Sequence, residues 1–265
     1  MWMVAALLAA AGTAQAGDVA VNRGAYTLKA EVSGTGPVDV VFESGFGQGP
    51  GVWKDVAPAL GSGYRSITYA RAGLGQPGSD GHPKSIDDHL NDLAAVIDTV
   101  APAHKVVLVG HSYGGLLVTE FARRHPERVQ GLVLVDPATM GQRHAFRQAN
   151  DARVLADDAK LLGMLPPSMA ADYRALIAQL DAPGAATPRT MPDVPVALLT
   201  STRVANEPMV FEETAEGKAI WKAQHAVLFA GFARGSHRYF ATGHNIHRED
   251  PAAIVEAIQS VATPR

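Results

Sequence analysis

The sequence predicts an α/β fold: a mostly parallel central sheet flanked by helices, with a helical cap inserted into it. Three observations carry that expectation. Strand-like apolar runs alternate with helical spacings from residue 38 to residue 135. The strands are apolar along their length, as strands covered on both faces must be. The alternation lapses between residues 138 and 192, then resumes. With 265 residues, 47% of them hydrophobic, the chain can bury a core for one such domain.

The first sixteen residues read as a signal peptide. A short apolar run at 4–11 (VAALLAAA) leads to Ala14-Gln15-Ala16, an A-x-A signature that places cleavage after Ala16. The run is too short to span a bilayer, which takes roughly 20 apolar residues, so no membrane anchor is expected after cleavage. The segment carries no Lys or Arg before its apolar core, a departure from the usual pattern. The expectation is an exported protein, periplasmic or secreted, whose folded domain runs from 17 to 265. It has no cysteine, so its stability comes from the core and thiol chemistry is excluded.

Residues 25–32 (AYTLKAEV) alternate like a half-exposed strand and stop at the turn-forming SGTGP. Residues 38–42 (VDVVF) and 64–69 (YRSITY) read as two more strands. From Ser85 to Val100, apolar Ile86, Leu90, Leu93, Ile97 and Val100 recur three or four apart, which gives an amphipathic helix. Residues 106–109 (VVLV) form the most hydrophobic strand of the first half, 116–124 the helix after it, and 129–135 (VQGLVLV) the next strand. The cap, about 138–192, is rich in Ala, Met, Gln and Asp and is broken at Pro166-Pro167 and Pro183-Gly184. Its Met140, Phe146, Leu161, Leu162, Met164 and Leu165 suit either an apolar pocket or the core of the cap. A strand at 194–200, a helix near 219–232, a short strand at 238–240 and a helix at 251–261 complete the chain.

Composition excludes some functions. Charged residues make up 18% and the net charge is −3. The densest basic cluster, Arg123-Arg124-His125 with Arg128, lies at a helix end and reads as a solvated terminus, so no nucleic-acid partner is expected. The glycine-rich stretch at 45–51 misses the dinucleotide pattern. Its third glycine position is Pro50, and no acid stands about 20 residues on. Nothing in the sequence fixes the number of subunits.

The chemistry is concentrated at residues 110–115 (GHSYGG). A strand that stops at G-x-S-x-G and restarts as a helix puts Ser112 in a strained turn above the carboxyl edge of the sheet. Gly110 and Gly114 let strand and helix approach that turn, and Gly115 lets the helix pack closely. The helix start brings free N–H groups and a positive dipole end to where negative charge develops. A serine hydroxyl needs an imidazole to take its proton. His244, which follows Gly243 at a strand end, is the expected base, with His247 as its rival; His82, His104, His125, His144, His225 and His237 read as surface residues, and His111 as a support for the turn. A metal site from His237, His244 and His247 lacks both an H-E-x-x-H motif and a carboxylate at ligand spacing. No cofactor is expected.

On these residues the chain resembles the α/β-hydrolase superfamily from about residue 38 to its end. Ser44-Gly45-Phe46-Gly47 stands where the superfamily usually has H-G-x, and the resemblance implies an oxyanion hole from the backbone N–H groups of Phe46 and Tyr113. Residues 69–75 (YARAGLG) are similar to the Y-D-R-x-G-x-G loop, with Ala70 in place of Asp. Gly243-His244 with Asp250-Pro251 is similar to the late segment that carries the catalytic histidine. The third catalytic member stays open. Asp136 ends a strand, a position used by the haloalkane dehalogenase group, and is preferred; Glu207, Glu212 and Glu213 lie after the strand that supplies the acid in most of the superfamily. The resemblance implies a serine hydrolase acting on a small-molecule ester or related acyl substrate, of carboxylesterase type. Lactonase, peptidase, C–C hydrolase and slow-turnover binding roles remain open. Epoxide hydrolases and dehalogenases are disfavoured, since they use Asp where this chain has Ser112.

Overall fold

The computed structural model describes residues 17–74, 78–187 and 189–262. The expected signal peptide lies outside the described residues. In chain order the elements are β1 (Gly17–Asn22), β2 (Thr27–Ser33), β3 (Val38–Glu43), β4 (Tyr64–Tyr69), α1 (Ile86–Val100), β5 (Val106–His111), α2 (Tyr113–Arg124), β6 (Val129–Val135), α3 (Gln142–Met164), α4 (Pro167–Leu180), β7 (Val196–Ser201), α5 (Ala215–Ala230), β8 (Gly235–Phe240), α6 (Ile246–Glu249) and α7 (Pro251–Ala262). The strands form one sheet in the order β1-β2-β4-β3-β5-β6-β7-β8. The β1–β2 and β2–β4 pairs are antiparallel and every other pair is parallel.

Strand alternation sorts the core into two layers. Val41, Leu108, Leu132, Leu134 and Leu198 face a cluster that includes Leu93 and Ile97 of α1 and Leu117 and Phe121 of α2. Their neighbours Val40, Phe42, Val107, Val109, Val133 and Leu199 face the opposite cluster, with Trp53 and with Ile254 and Ile258 of α7. Helix α1 begins at a capping box: Ser85 accepts from the Asp88 N–H while the Asp88 carboxylate accepts from the Ser85 N–H.

Between β6 and β7, α3 and α4 are tied by charge. Arg143 makes a two-pronged bond to Asp158 and a third bond to Asp181, and the Tyr173 hydroxyl donates to Asp158 at 2.8 Å. Helix α3 kinks at Asn150 (φ −155°, ψ 77°), whose side chain accepts from the Arg153 N–H and so restarts the helix. Strand β1 was not legible in the sequence, because only Val19 and Val21 mark its period of two.

The sheet order also fixes where a site can form. From β3 the chain steps outward to β4, then returns to place β5 on the other side of β3. Loops leaving β3 and β5 diverge at that point, and the crevice between them lies at the carboxyl ends of the strands.

Candidate active site

Ladder register brings distant residues to one edge. Glu43 pairs with Gly110, His111 with Val135, Val135 with Leu199, and Ser201 with Phe240. The residues that follow these strand ends, Phe46, Ser112, Asp136 and His244, therefore emerge along one line although 198 positions separate the first from the last.

Ser112 sits at φ 53°, ψ −121°, in the left-handed half of backbone space that a side chain seldom occupies. Its N–H donates to Val135 O at 3.2 Å, and its carbonyl accepts from Ala138, Gly115 and Leu116. Such a turn requires close approach. A Cβ on Gly114 would lie 2.3 Å from Glu43 O, and one on Gly110 would lie 2.4 Å from Gly114 O. Ser112 Oγ makes no hydrogen bond among the described residues.

Asp136, fully buried, is the other non-glycine residue at positive φ (44°) among those described. Its carboxylate accepts four hydrogen bonds. Ser201 N–H (2.8 Å) and Trp221 Nε1 (2.9 Å) donate to Oδ1; the Ser201 hydroxyl (2.7 Å) and His244 Nδ1 (2.7 Å) donate to Oδ2. Burial alone would raise its pKa. The bond from His244 and the charges of His244, His225 and Lys218 outweigh that and hold it well below the usual carboxylate range. Burial also opposes charge on His244, yet the bond to Asp136 and the charges of Glu212 and Asp136 leave its pKa raised. With Nδ1 turned to Asp136, Nε2 of His244 carries no hydrogen bond among the described residues.

The four acids considered from sequence separate by position. Asp136 bonds the His244 ring. Glu212 Oε1 lies 3.8 Å from the same Nδ1. Glu213 instead accepts from the Met209 N–H at 2.7 Å, and Glu207 is exposed.

Phe46 and Tyr113 stand across the crevice with ring centroids 5.9 Å apart, and neither backbone N–H donates to any described residue. The loop bearing Phe46 is clamped from below. The buried Glu43 carboxylate takes the Tyr69 hydroxyl and the Arg71 guanidinium, and Arg71 also donates to Ser44 O at 2.6 Å and Gly45 O at 2.5 Å. Tyr69, Arg71 and Glu43 thus act together, although Glu43-Ser44 stands in place of the histidine and Ala70 in place of the aspartate of the pattern the sequence resembles. From the cap, Tyr173 packs edge-on against Phe46 at 5.6 Å.

The remaining histidines divide unevenly. His111 bridges Gln48 Oε1 and the His244 carbonyl, each at 3.0 Å, so it supports the loop that carries His244. His247, the rival base, is fully buried beside Trp53, with both ring nitrogens unpaired among the described residues. His225 is a correction to the sequence reading, for it is a core residue. Its Nε2 donates to Pro137 O at 2.7 Å, which makes Nδ1 the acceptor for the Thr200 hydroxyl at 2.7 Å. His237 Nε2 then donates to that hydroxyl oxygen at 2.8 Å. His89 escaped the sequence reading altogether; buried on α1, it bonds the Tyr113 hydroxyl at 2.8 Å. Among the described residues no group of three or more His, Cys, Asp or Glu is arranged to hold a metal ion. No described helix is long and apolar enough to cross a membrane.

Of the cap residues weighed as pocket lining, Phe146 belongs to the cap core, stacked on Trp221 at 6.3 Å and edge-on to Phe211 at 5.6 Å. Met164 faces solvent, 63% exposed. The sequence offered no signal for Ser201 or Lys218. Arg71 inside an apolar loop, and Trp221 in a helix close to the acid, were the available hints of buried partners.

A mostly parallel sheet with a strained serine at its switch point after β5, and an acid and a histidine following β6 and β8, defines the α/β-hydrolase class of architecture. The chain matches the alpha/beta hydrolase family over residues 40–257 and belongs to it. It is 36% identical over 108 residues to a protein of Azorhizobium caulinodans named "Putative carbamate hydrolase RutD", covering 40% of this chain and 39% of that protein. It is 32% identical over 101 residues to the (lyso)-N-acylphosphatidylethanolamine lipase of Mus musculus, covering 37% and 30%. These matches span less than half the length of those curated relatives. Among solved structures, carboxylesterase CesB of Bacillus subtilis superposes with a TM-score of 0.61 at 16% identity, over 93% of this chain and 91% of that one.

Proposed function

We propose that the protein is a serine hydrolase that cleaves an ester or related acyl bond, most simply as a carboxylesterase. The observation that carries this reading is the 2.7 Å bond from His244 Nδ1 to the buried Asp136, on the same edge of the sheet as a serine in a strained turn. That bond leaves Nε2 as the free basic nitrogen of the ring. Ser112 Oγ attacks the acyl carbon as its proton passes to Nε2. The carbonyl oxygen becomes an oxyanion that accepts from the N–H groups of Phe46 and Tyr113. Collapse of this adduct breaks the bond to the leaving alcohol, which takes the proton from Nε2. Water then repeats the sequence on the acyl-enzyme: its proton goes to Nε2, its oxygen to the acid product, and Ser112 recovers its proton.

The names of two relatives and one structural neighbour fit an acyl substrate: a carbamate hydrolase, a lipase and a carboxylesterase. The test is labelling of the folded protein with a fluorophosphonate, followed by hydrolysis of p-nitrophenyl esters of increasing acyl length. Labelling confined to Ser112, and loss of both signals in Ser112→Ala, is the expected result. A folded protein that refuses the probe and turns over no ester would be a binding protein on this scaffold. Export rests on residues 4–16, and N-terminal sequencing of the mature protein should begin at Gly17.

A further inference from the structure

We infer that Glu212 is a positioning residue: a second carboxylate that, with Asp136, embraces the Nδ1 side of His244 and steadies the ring when it carries two protons. The inference rests on the reading of Ser112, His244 and Asp136 as the catalytic set.

Placement comes first. Glu212 Oε1 lies 3.8 Å from His244 Nδ1, while Asp136 Oδ2 accepts that nitrogen's proton at 2.7 Å. One N–H serves one acceptor well, so Glu212 acts by charge and not as a second acceptor. Its neighbours hold it there. Phe211 is buried against Phe146, with its N–H donating to Asp157 at 2.6 Å, and Thr214 caps α5 through the Gly217 N–H at 3.0 Å. Glu212 itself makes no hydrogen bond among the described residues and is 25% exposed. A carboxylate fixed by both flanks and bonded to neither is free to respond to the ring.

Charge supplies the second argument. Asp136 divides its negative charge among four donors, and the buried ammonium of Lys218 stands one hydroxyl away: its Nζ donates to Ser201 Oγ at 3.1 Å, which donates to Asp136 at 2.7 Å. Asp136 and Lys218 together are neutral. Asp136 is thus shared between the Lys218 ammonium and the His244 ring, and an imidazolium there would be only partly compensated in a half-buried site, which low dielectric makes costly. Glu212 restores the balance.

The other groups around the ring do not. His111 at the end of β5 and His247 on α6 are both pushed toward the neutral form by burial and by neighbouring positive charge. His225 on α5 is likewise depressed by burial. Tyr173 on α4 is kept neutral by burial and by its bond to Asp158. Glu213 is engaged by Met209, and Arg203 pairs with Glu249 at 2.6 Å. Burial raises the pKa of Glu212 itself, and the charges of His244 and Lys218 offset this only in part, so its carboxyl stays above the ordinary glutamate range.

The test is the pH dependence of kcat/KM for p-nitrophenyl acetate in the wild type, Glu212→Gln, Glu212→Asp, Asp136→Asn and the Asp136→Asn/Glu212→Gln pair. Glu212→Gln should move the acidic limb down by about one pH unit, with kcat a few-fold lower and KM unchanged. Glu212→Asp should recover part of that shift. In the Asp136→Asn background the loss from Glu212→Gln should exceed its loss in the wild type, because Glu212 is then the last carboxylate at the ring. An unmoved acidic limb in Glu212→Gln overturns the inference. A uniform loss at every pH with raised KM also overturns it, in favour of a substrate contact. Ser112→Ala separates the two levels. If it is inactive while Glu212→Gln leaves the limb in place, only this inference falls. If Ser112→Ala stays active, the catalytic reading falls with it.

Discussion

Ser201 gives both of its donors to one carboxylate: its N–H meets Asp136 Oδ1 at 2.8 Å and its hydroxyl meets Oδ2 at 2.7 Å. The residue ending β7 thereby fixes the plane of the acid that follows β6, and the Trp221 indole holds it from α5. A carboxylate gripped on three sides has one direction left, toward His244. In most proteins of the superfamily that the sequence resembles, an acid follows the strand that here ends in Ser201. This chain uses that place to orient an acid supplied by the preceding strand.

Asp136→Asn should therefore cost far more than the loss of one hydrogen bond. An amide presents donors where Ser201, Trp221 and His244 already donate, so the ring loses its tautomer and its counter-charge. The expected loss in kcat is about 10³- to 10⁴-fold, against no measurable loss for the exposed Glu207→Gln. Steady-state ester hydrolysis on the two folded variants decides it, and a nearly normal Asp136→Asn enzyme would remove Asp136 from the site.

Substituting Phe46 by proline deletes one proposed oxyanion donor while leaving a half-buried apolar side chain. Turnover should fall by about 10²- to 10³-fold, with fluorophosphonate labelling slowed in parallel. Full activity in a folded Phe46→Pro protein would assign the second donor elsewhere.

The clamp beneath that loop is a matter of stability. Arg71→Met leaves the Glu43 carboxylate buried without its cation, which should lower unfolding free energy by about 3–5 kcal/mol in urea titrations. Adding Glu43→Gln should return part of that loss, because the amide needs no counter-charge. A double variant no more stable than the single one would show that Arg71 acts mainly through the Ser44 and Gly45 carbonyls.

Parts of this arrangement were legible in the sequence because they rest on short-range rules. The serine turn declares itself through glycines that sterics demand, and α1 through its period and its Ser85 cap. His244 is marked by the glycine before it. The burial of His225 was not legible, since its partners Thr200 and Pro137 are 25 and 88 positions away. For the same reason Lys218 resembled an ordinary helix lysine, although Ser201 and Trp221 enclose it. Contacts of that range are set by sheet order, which a local pattern does not encode.

Activity should fall on the acid side with a midpoint above 6.5, the ordinary histidine value, because the proposed base, His244, has to be neutral to accept a proton and its pKa is raised. A kcat/KM profile with its acidic midpoint below 6.5 would contradict the electrostatics of the site.

Stability should follow a different group of histidines, and with the opposite sign to His244. Burial depresses His89 to about 3 and His225 and His247 to about 4. Unfolded, each returns to about 6.5 and binds a proton that the folded state refuses. Between pH 6.5 and about 4 the unfolded chain therefore holds more protons, and stability declines as pH falls. Each histidine contributes a slope of about 1.4 kcal/mol per pH unit across that window. The raised pKa of His244 adds stability that is complete below 6.5, so it does not offset the decline. His247 is the cleanest probe, because its two ring nitrogens are buried without partners and an apolar residue beside Trp53 loses no bond. His247→Leu should flatten the decline in urea-derived stability between pH 6.5 and 5 by about one proton's worth. Parallel pH profiles for His247→Leu and the wild type would mean that His247 is protonated equally in both states, and that its burial does not set its charge.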